Sequence, residues 1–164
     1  MEDKIVIENS KKWIADFVIQ HNICPFAKHV FDKNAIGYIV EKETEFDNLV
    51  ISFFNRLAKI NYDTAFFIYE SQYPDFLDFL DFYYTCEAIL EDSDFDELYQ
   101  IVAFHPDYIF GGEDESDPSN LTNRSPYPMI HILLRDQVER AIESHDDVNS
   151  IPSKNIEYLR KLFK

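Results

Sequence analysis

Thr64-Ala65-Phe66-Phe67-Ile68-Tyr69 is apolar at nearly every position. A run of that length without polar alternation predicts a strand buried on both faces, at the centre of a sheet. Upstream, Phe46, Leu49, Val50, Phe53, Phe54 and Leu57 recur on one side of a helical wheel, which predicts an amphipathic helix over residues 46–59. A short strand candidate, 35–40, precedes it. Downstream, Tyr73-Pro74 reads as the opening of another helix, since proline suits a first turn. That helix carries Phe76, Leu77, Leu80, Tyr83, Tyr84 and Leu90 to about residue 91, and a third strand follows over 98–104. Strand, helix, strand, helix, strand is the rhythm of a layered α/β (or α+β) domain.

The ends complete this pattern. Trp13, Ile14, Phe17, Val18 and His21 recur at three-and-four spacing, so residues 5–21 read as a helix. It must stop near 22–24, because Pro25 pushes the residue before it out of helical geometry. Residues 128–134 make a fourth strand, 136–144 a helix, and Ser153 is placed to cap a last helix running to 162. The expectation is a single domain over 1–164 with a mixed sheet of about four strands packed by helices. A chain of 164 residues, 46% apolar and 16% aromatic, is large enough for one real core.

Lys plus Arg number 15 and Asp plus Glu 31, a formal charge of −16. That field repels phosphates and anionic lipid surfaces, so neither nucleic acid nor a membrane is an expected partner. The start, Met1-Glu2-Asp3-Lys4, lacks a basic region followed by an apolar stretch, so no signal peptide is expected, and no window approaches the length of a membrane span. Two cysteines, Cys24 and Cys86, are too few for a disulfide framework, and a reduced, cytoplasmic protein is the simplest reading. Oligomeric state has no signature here.

One connection stands apart. Residues 105–127 are longer than most structureless loops in compact domains, and such loops are usually functional or disordered. His105-Pro106 opens the connection at a strand end, and Asn123-Arg124-Ser125-Pro126-Tyr127-Pro128 closes it before a strand bearing His131 and ending at Arg135. His105 is a candidate general acid/base or metal ligand; the bland alternative is an imidazole that bonds a loop carbonyl and fixes the chain. Arg124 and Arg135 are bidentate donors for an anion, with Asn123 and Ser125 adding neutral hydrogen bonds. Alternatively Arg124 is an internal strut pairing with Asp107, Asp114 or Asp117. His131, between Ile130 and Ile132, is either a ligand-binding group or a satisfied core histidine. Cys24 is a nucleophile or soft metal ligand if His105 or Arg124 lies beside it, and otherwise a small buried hydrophobe. If the faces of the third and fourth strands agree, His105 and His131 share one side of the sheet.

Other patterns fail. Asp92-Ser93-Asp94-Phe95-Asp96 starts like a calcium loop, but Glu97 stands where glycine is needed. Asp75, Asp78 and Asp81 read as a solvated helix face, and a metal site from Cys24, His105 and His131 lacks close ligand spacing. No cofactor is implied.

The motifs Trp13, Asn22-Ile23-Cys24-Pro25-Phe26-Ala27, Ala103-Phe104-His105-Pro106, Asn120 to Tyr127, Pro128-Met129-Ile130-His131-Ile132-Leu133-Leu134-Arg135, Ile151-Pro152 and Asn155-Ile156 carry a resemblance. Over nearly its whole length the chain resembles a family of small bacterial proteins catalogued as domain of unknown function 1415. Asp136 departs from the family's usual glutamate and Lys154 from its usual arginine. The resemblance implies a cytoplasmic bacterial protein; it strengthens the candidate site and leaves the function open. Three functions are therefore carried forward: a small-molecule enzyme or binding protein for an anionic metabolite at a Cys/His/Arg site; a non-catalytic structural or interaction domain; and a metal-binding protein.

Overall fold

The computed structural model describes residues 2–164. Its four strands are β1 (Ile36–Val40), β2 (Thr64–Ile68), β3 (Tyr99–Phe104) and β4 (Met129–Leu134), in the spatial order β1-β2-β4-β3. β1 and β2 run parallel, joined through helix α3 (Phe46–Leu57), because parallel neighbours need a long crossover. β2 crosses through α4 (Phe76–Glu91) to β3, and β4 inserts antiparallel between them. The sheet is therefore mixed, as the pattern predicts.

The apolar run does what its composition demands: all five residues of β2 are buried. Alternation sends Ala65 and Phe67 to one face, where they meet Leu49, Phe53 and Leu57 of α3 and Phe79, Phe82 and Cys86 of α4. Phe66 and Ile68 go to the other, against Val6, Ile14 and Trp13. The first layer is rich in aromatic rings, whereas the buried residues of the second are aliphatic apart from Phe66 and Met129. Each fully buried Phe or Leu contributes about 1.5–3 kcal/mol from apolar burial alone.

Several boundaries differ from expectation for local reasons. The first helix begins earlier, as α1 (Glu2–Trp13), and widens into a π-helical segment over Ile14–Ile19. It ends at Asn22, whose φ of 50° is left-handed geometry that asparagine tolerates. A short helix, α2 (Ala27–Asp32), follows where no periodicity is long enough to reveal it. Pro74 lies just outside α4, whose cap is Asp75; its carboxylate accepts from the Leu77 and Asp78 amides. Asp75 therefore terminates a helix, while Asp78 and Asp81 are the solvated face. α5 (Arg135–Glu143) follows β4 directly, and α6 (Ile151–Leu162) starts ahead of Ser153, with Pro152 in its first turn. Among the described residues no helix is long and apolar enough to cross a membrane.

Candidate functional site

The long connection is folded, and its polar side chains are what fold it. Leaving β3, the Asp107 amide donates to His105 Nδ1 at 3.0 Å, and His105 Nε2–H donates to the Tyr73 carbonyl at 3.0 Å. That pairing fixes the neutral Nε2–H tautomer. The ring is 1% exposed, with its centroid 5.3 Å from Phe76 and 5.5 Å from Phe79 on α4. Further along, Asp117 caps a 3-10 helix, Pro118–Asn123, by accepting from the Ser119 amide. Asn120, fully buried, accepts from the Phe110 amide at 2.9 Å and donates to the Asp114 carbonyl at 2.8 Å. Asn123 zips the end of that helix onto β3: its amide donates to the Ala103 carbonyl, and its own carbonyl accepts from the His105 amide.

Arg124 spans the loop it closes. Nε donates to the Tyr108 carbonyl at 3.0 Å and Nη2 to the Glu115 carbonyl at 2.8 Å. Both partners are backbone carbonyls, not the carboxylates of Asp107, Asp114 or Asp117 that the strut alternative named. Ser125 Oγ donates to the Tyr127 carbonyl at 2.6 Å, and the Tyr127 hydroxyl accepts from Asn9 of α1.

The convergence of the predicted site residues is not realised. Residues directly opposite each other in a sheet share a face, and His131 lies opposite Val102, one position out of phase with the Ala103–His105 set. His105 faces α4, while His131 faces the opposite layer, stacked on Phe66 at 4.2 Å and beside Phe104. There Thr64 Oγ1 gives its proton to the Ile132 carbonyl, so it accepts from His131 Nε2–H at 2.7 Å. Burial pushes the His131 pKa down to about 3, so the ring stays neutral. A metal cannot bridge the two imidazoles through a sheet, and among the described residues no three His, Cys, Asp or Glu side chains are grouped to hold a metal ion.

Arg124 precedes β4 and Arg135 follows it, and they hold different parts of the chain. Arg135 opens α5 and pairs with Asp96, through Nη2 to Oδ1 at 2.9 Å and through Nε to the backbone carbonyl. The two guanidinium groups therefore do not grip one anion. Cys24 lies in the turn between the π-helical segment and α2, on the α1 side of the molecule. Burial pushes its thiol up, against smaller opposing hydrogen bonds from the Phe26 and Ala27 amides. Asn155 of α6 fastens this turn by donating to the Ile23 carbonyl at 2.7 Å. Cys86 is core, as expected. Two open surface depressions run along α6, between Ser153 and Lys164, and along α3, between Glu43 and Lys59. Neither is lined by a predicted site residue.

Sequence reasoning missed two features. Glu41, 6% exposed at the end of β1, accepts from the Lys42 and Glu43 amides, Ser52 Oγ and Arg56. Its partners on α3 are eleven and fifteen residues away, and no local pattern signals them. The second is a pair of buried hydroxyls without partners, Ser119 Oγ and Thr122 Oγ1, in the 3-10 helix. Thr122→Val is expected to leave stability unchanged or raise it by up to about 1 kcal/mol, because it removes a polar group that gains nothing in the fold. Urea unfolding midpoints check this, and a loss above that size would show that Thr122 is bonded after all.

Over residues 5–164 the chain matches the family described as "Protein of unknown function (DUF1415)", and it belongs to that family. No curated protein and no solved structure matches it.

Proposed function

We propose that this member of the family is a non-catalytic interaction domain in which the segment from His105 to Ser125 is a structural clasp. One observation carries the reading. Both ring nitrogens of His105, two nitrogens of the Arg124 guanidinium, the Asn123 amide and the Ser125 hydroxyl are all bonded to the chain's own backbone. Groups already satisfied in this way have little capacity left for a substrate, and a general acid/base needs a ring nitrogen within reach of the reacting proton. A reduced cytoplasmic setting, expected from the cysteine usage, accords with this.

A second reading is a small-molecule enzyme or binding protein for an anionic metabolite. It is favoured by Arg124, which is half-exposed and whose Nη1 has no hydrogen-bond partner among the described residues. Thermal-shift screening of wild type against anionic metabolites separates the two. On the clasp reading no metabolite stabilises the protein, and Arg124→Met lowers stability by about 1–3 kcal/mol, because the Tyr108 carbonyl loses its donor and the Glu115 carbonyl keeps only the longer bond from Asn120. A metabolite that raises the midpoint of wild type but not of Arg124→Lys would overturn the clasp reading.

A further inference from the structure

The net charge is confined to one contiguous part of the chain. From Ile60 to Asn123 there are 16 Asp and Glu and no Lys or Arg, so this stretch carries the whole formal charge of −16, and the remainder is balanced. The fold gathers it. α4, β3 and the 105–123 connection all fall within it, and Phe76 of α4 packs against Tyr108 of the connection at 5.0 Å. Arg135 and Arg160 enter from outside the stretch and pair with Asp96, Glu113 and Asp117, whereas among the described residues the carboxylates of α4 itself pair with no Lys or Arg.

On this acidic side α4 presents an uncovered apolar row. Leu77 is 69% exposed and Tyr84 56%, seven residues apart on the same stripe, with Ala88 exposed one turn further on. Asp78, Asp81 and Glu91 flank the row, all exposed, and among the described residues none of them pairs with a Lys or Arg. Exposed charge alone needs no explanation in a dispersed protein. Large apolar side chains set between unpaired carboxylates are a different case, because together they match a ligand that is both apolar and cationic.

We infer that the outer face of α4 is a docking surface for a basic amphipathic segment of a partner protein. This inference rests on the reading of the chain as an interaction domain. The occupant would carry large apolar side chains about 10 Å apart, the rise over the seven residues from Leu77 to Tyr84, with Lys or Arg on either side. Charge argues against a second copy, since a two-fold contact would set the acidic row against itself. It also argues against nucleic acid.

A helical peptide built only of Leu and Lys in amphipathic register tests this, with Leu/Gln and Leu/Glu peptides of the same register as controls. Binding is followed by fluorescence anisotropy against the full chain. The Leu/Lys peptide is expected to bind at 50 mM salt and to weaken at least tenfold by 300 mM, while the controls do not bind. Leu77→Ser with Tyr84→Ser should weaken it at least tenfold, and Asp78→Asn with Asp81→Asn and Glu91→Gln should both weaken it and flatten the salt dependence. Removing the same charge from α5 (Asp136→Asn, Glu139→Gln and Glu143→Gln) should change affinity less than twofold. Because all of these side chains are exposed, unfolding midpoints should stay near wild type. No binding, equal loss in the α5 variant, or binding indifferent to Leu77 and Tyr84 would overturn the surface. So would self-association in sedimentation that Leu77→Ser abolishes. If the peptide fails while the metabolite screen stays empty, this surface alone is lost. A metabolite hit at Arg124 removes the underlying reading whatever the peptide does.

Discussion

Glu41→Ala is expected to lower the unfolding free energy by about 3 kcal/mol, at the low end for breaking a buried ion pair because Arg56 keeps contact with water. The carboxylate side chain is 5% exposed and that of Arg56 36%. Ser52 Oγ donates to Glu41 Oε2 at 2.6 Å and Arg56 Nε to the same oxygen at 2.9 Å, while the Lys42 and Glu43 amides hold Oε1. Gln72 completes the corner by donating to the Glu41 and Glu43 carbonyls. Removing the carboxylate therefore loosens the turn between β1 and α3 as well as the ion pair. Burial alone would push the Glu41 carboxyl up. The four donors outweigh it and hold the carboxyl below the usual glutamate range.

A depressed folded pKa has a definite sign in stability. As pH falls, the unfolded chain takes up this proton first, so the stabilisation is complete above the usual glutamate range and disappears as pH drops through the folded value. Wild type should thus lose urea resistance more steeply on acidification than Glu41→Gln. Parallel pH profiles for the two proteins would contradict this account of the corner.

His105→Ala should cost about 4 kcal/mol, combining a cavity between two phenylalanines with a carbonyl and an amide left unpaired. The ring nitrogens tie Tyr73, just before α4, to Asp107 at the root of the long connection. Its loss should therefore speed hydrogen exchange across the 105–123 connection and at the start of α4, with little change in α6. Were His105 catalytic and not structural, His105→Ala would keep wild-type stability and lose a turnover instead. In a nitrogen-15 spectrum of the intact protein, the ring should show the Nε2–H tautomer. An Nδ1–H signal would be incompatible with the Asp107 contact.

The motif residues show how differently fold and site are written in a chain. The two cores were legible because they depend on periodicity: β2 is buried on both faces, and Leu49, Phe53 and Leu57 recur on one side of α3. Helix ends were less legible, since Asp75, not Pro74, supplies the cap of α4. The candidate site was legible as a segment but not as a geometry. Whether His105 and His131 share a face depends on a single step of strand register, and both alternatives leave the two sequences unchanged. Arg124 was legible as a strut or an anion clamp, but its bonds to the Tyr108 and Glu115 carbonyls were not, because they depend on where the loop places two backbone groups.

By itself, the sequence determined the class of fold, the order of its four strands and of the helices between the first three, the burial of β2 and the confinement of charge, because each follows from the spacing and composition of nearby residues. Tertiary structure alone decided that β4 inserts between β2 and β3, that Glu41 meets Arg56, and that the imidazoles part company across the sheet. These outcomes depend on pairings between distant segments, whose energies arise only once the chain has brought them into contact.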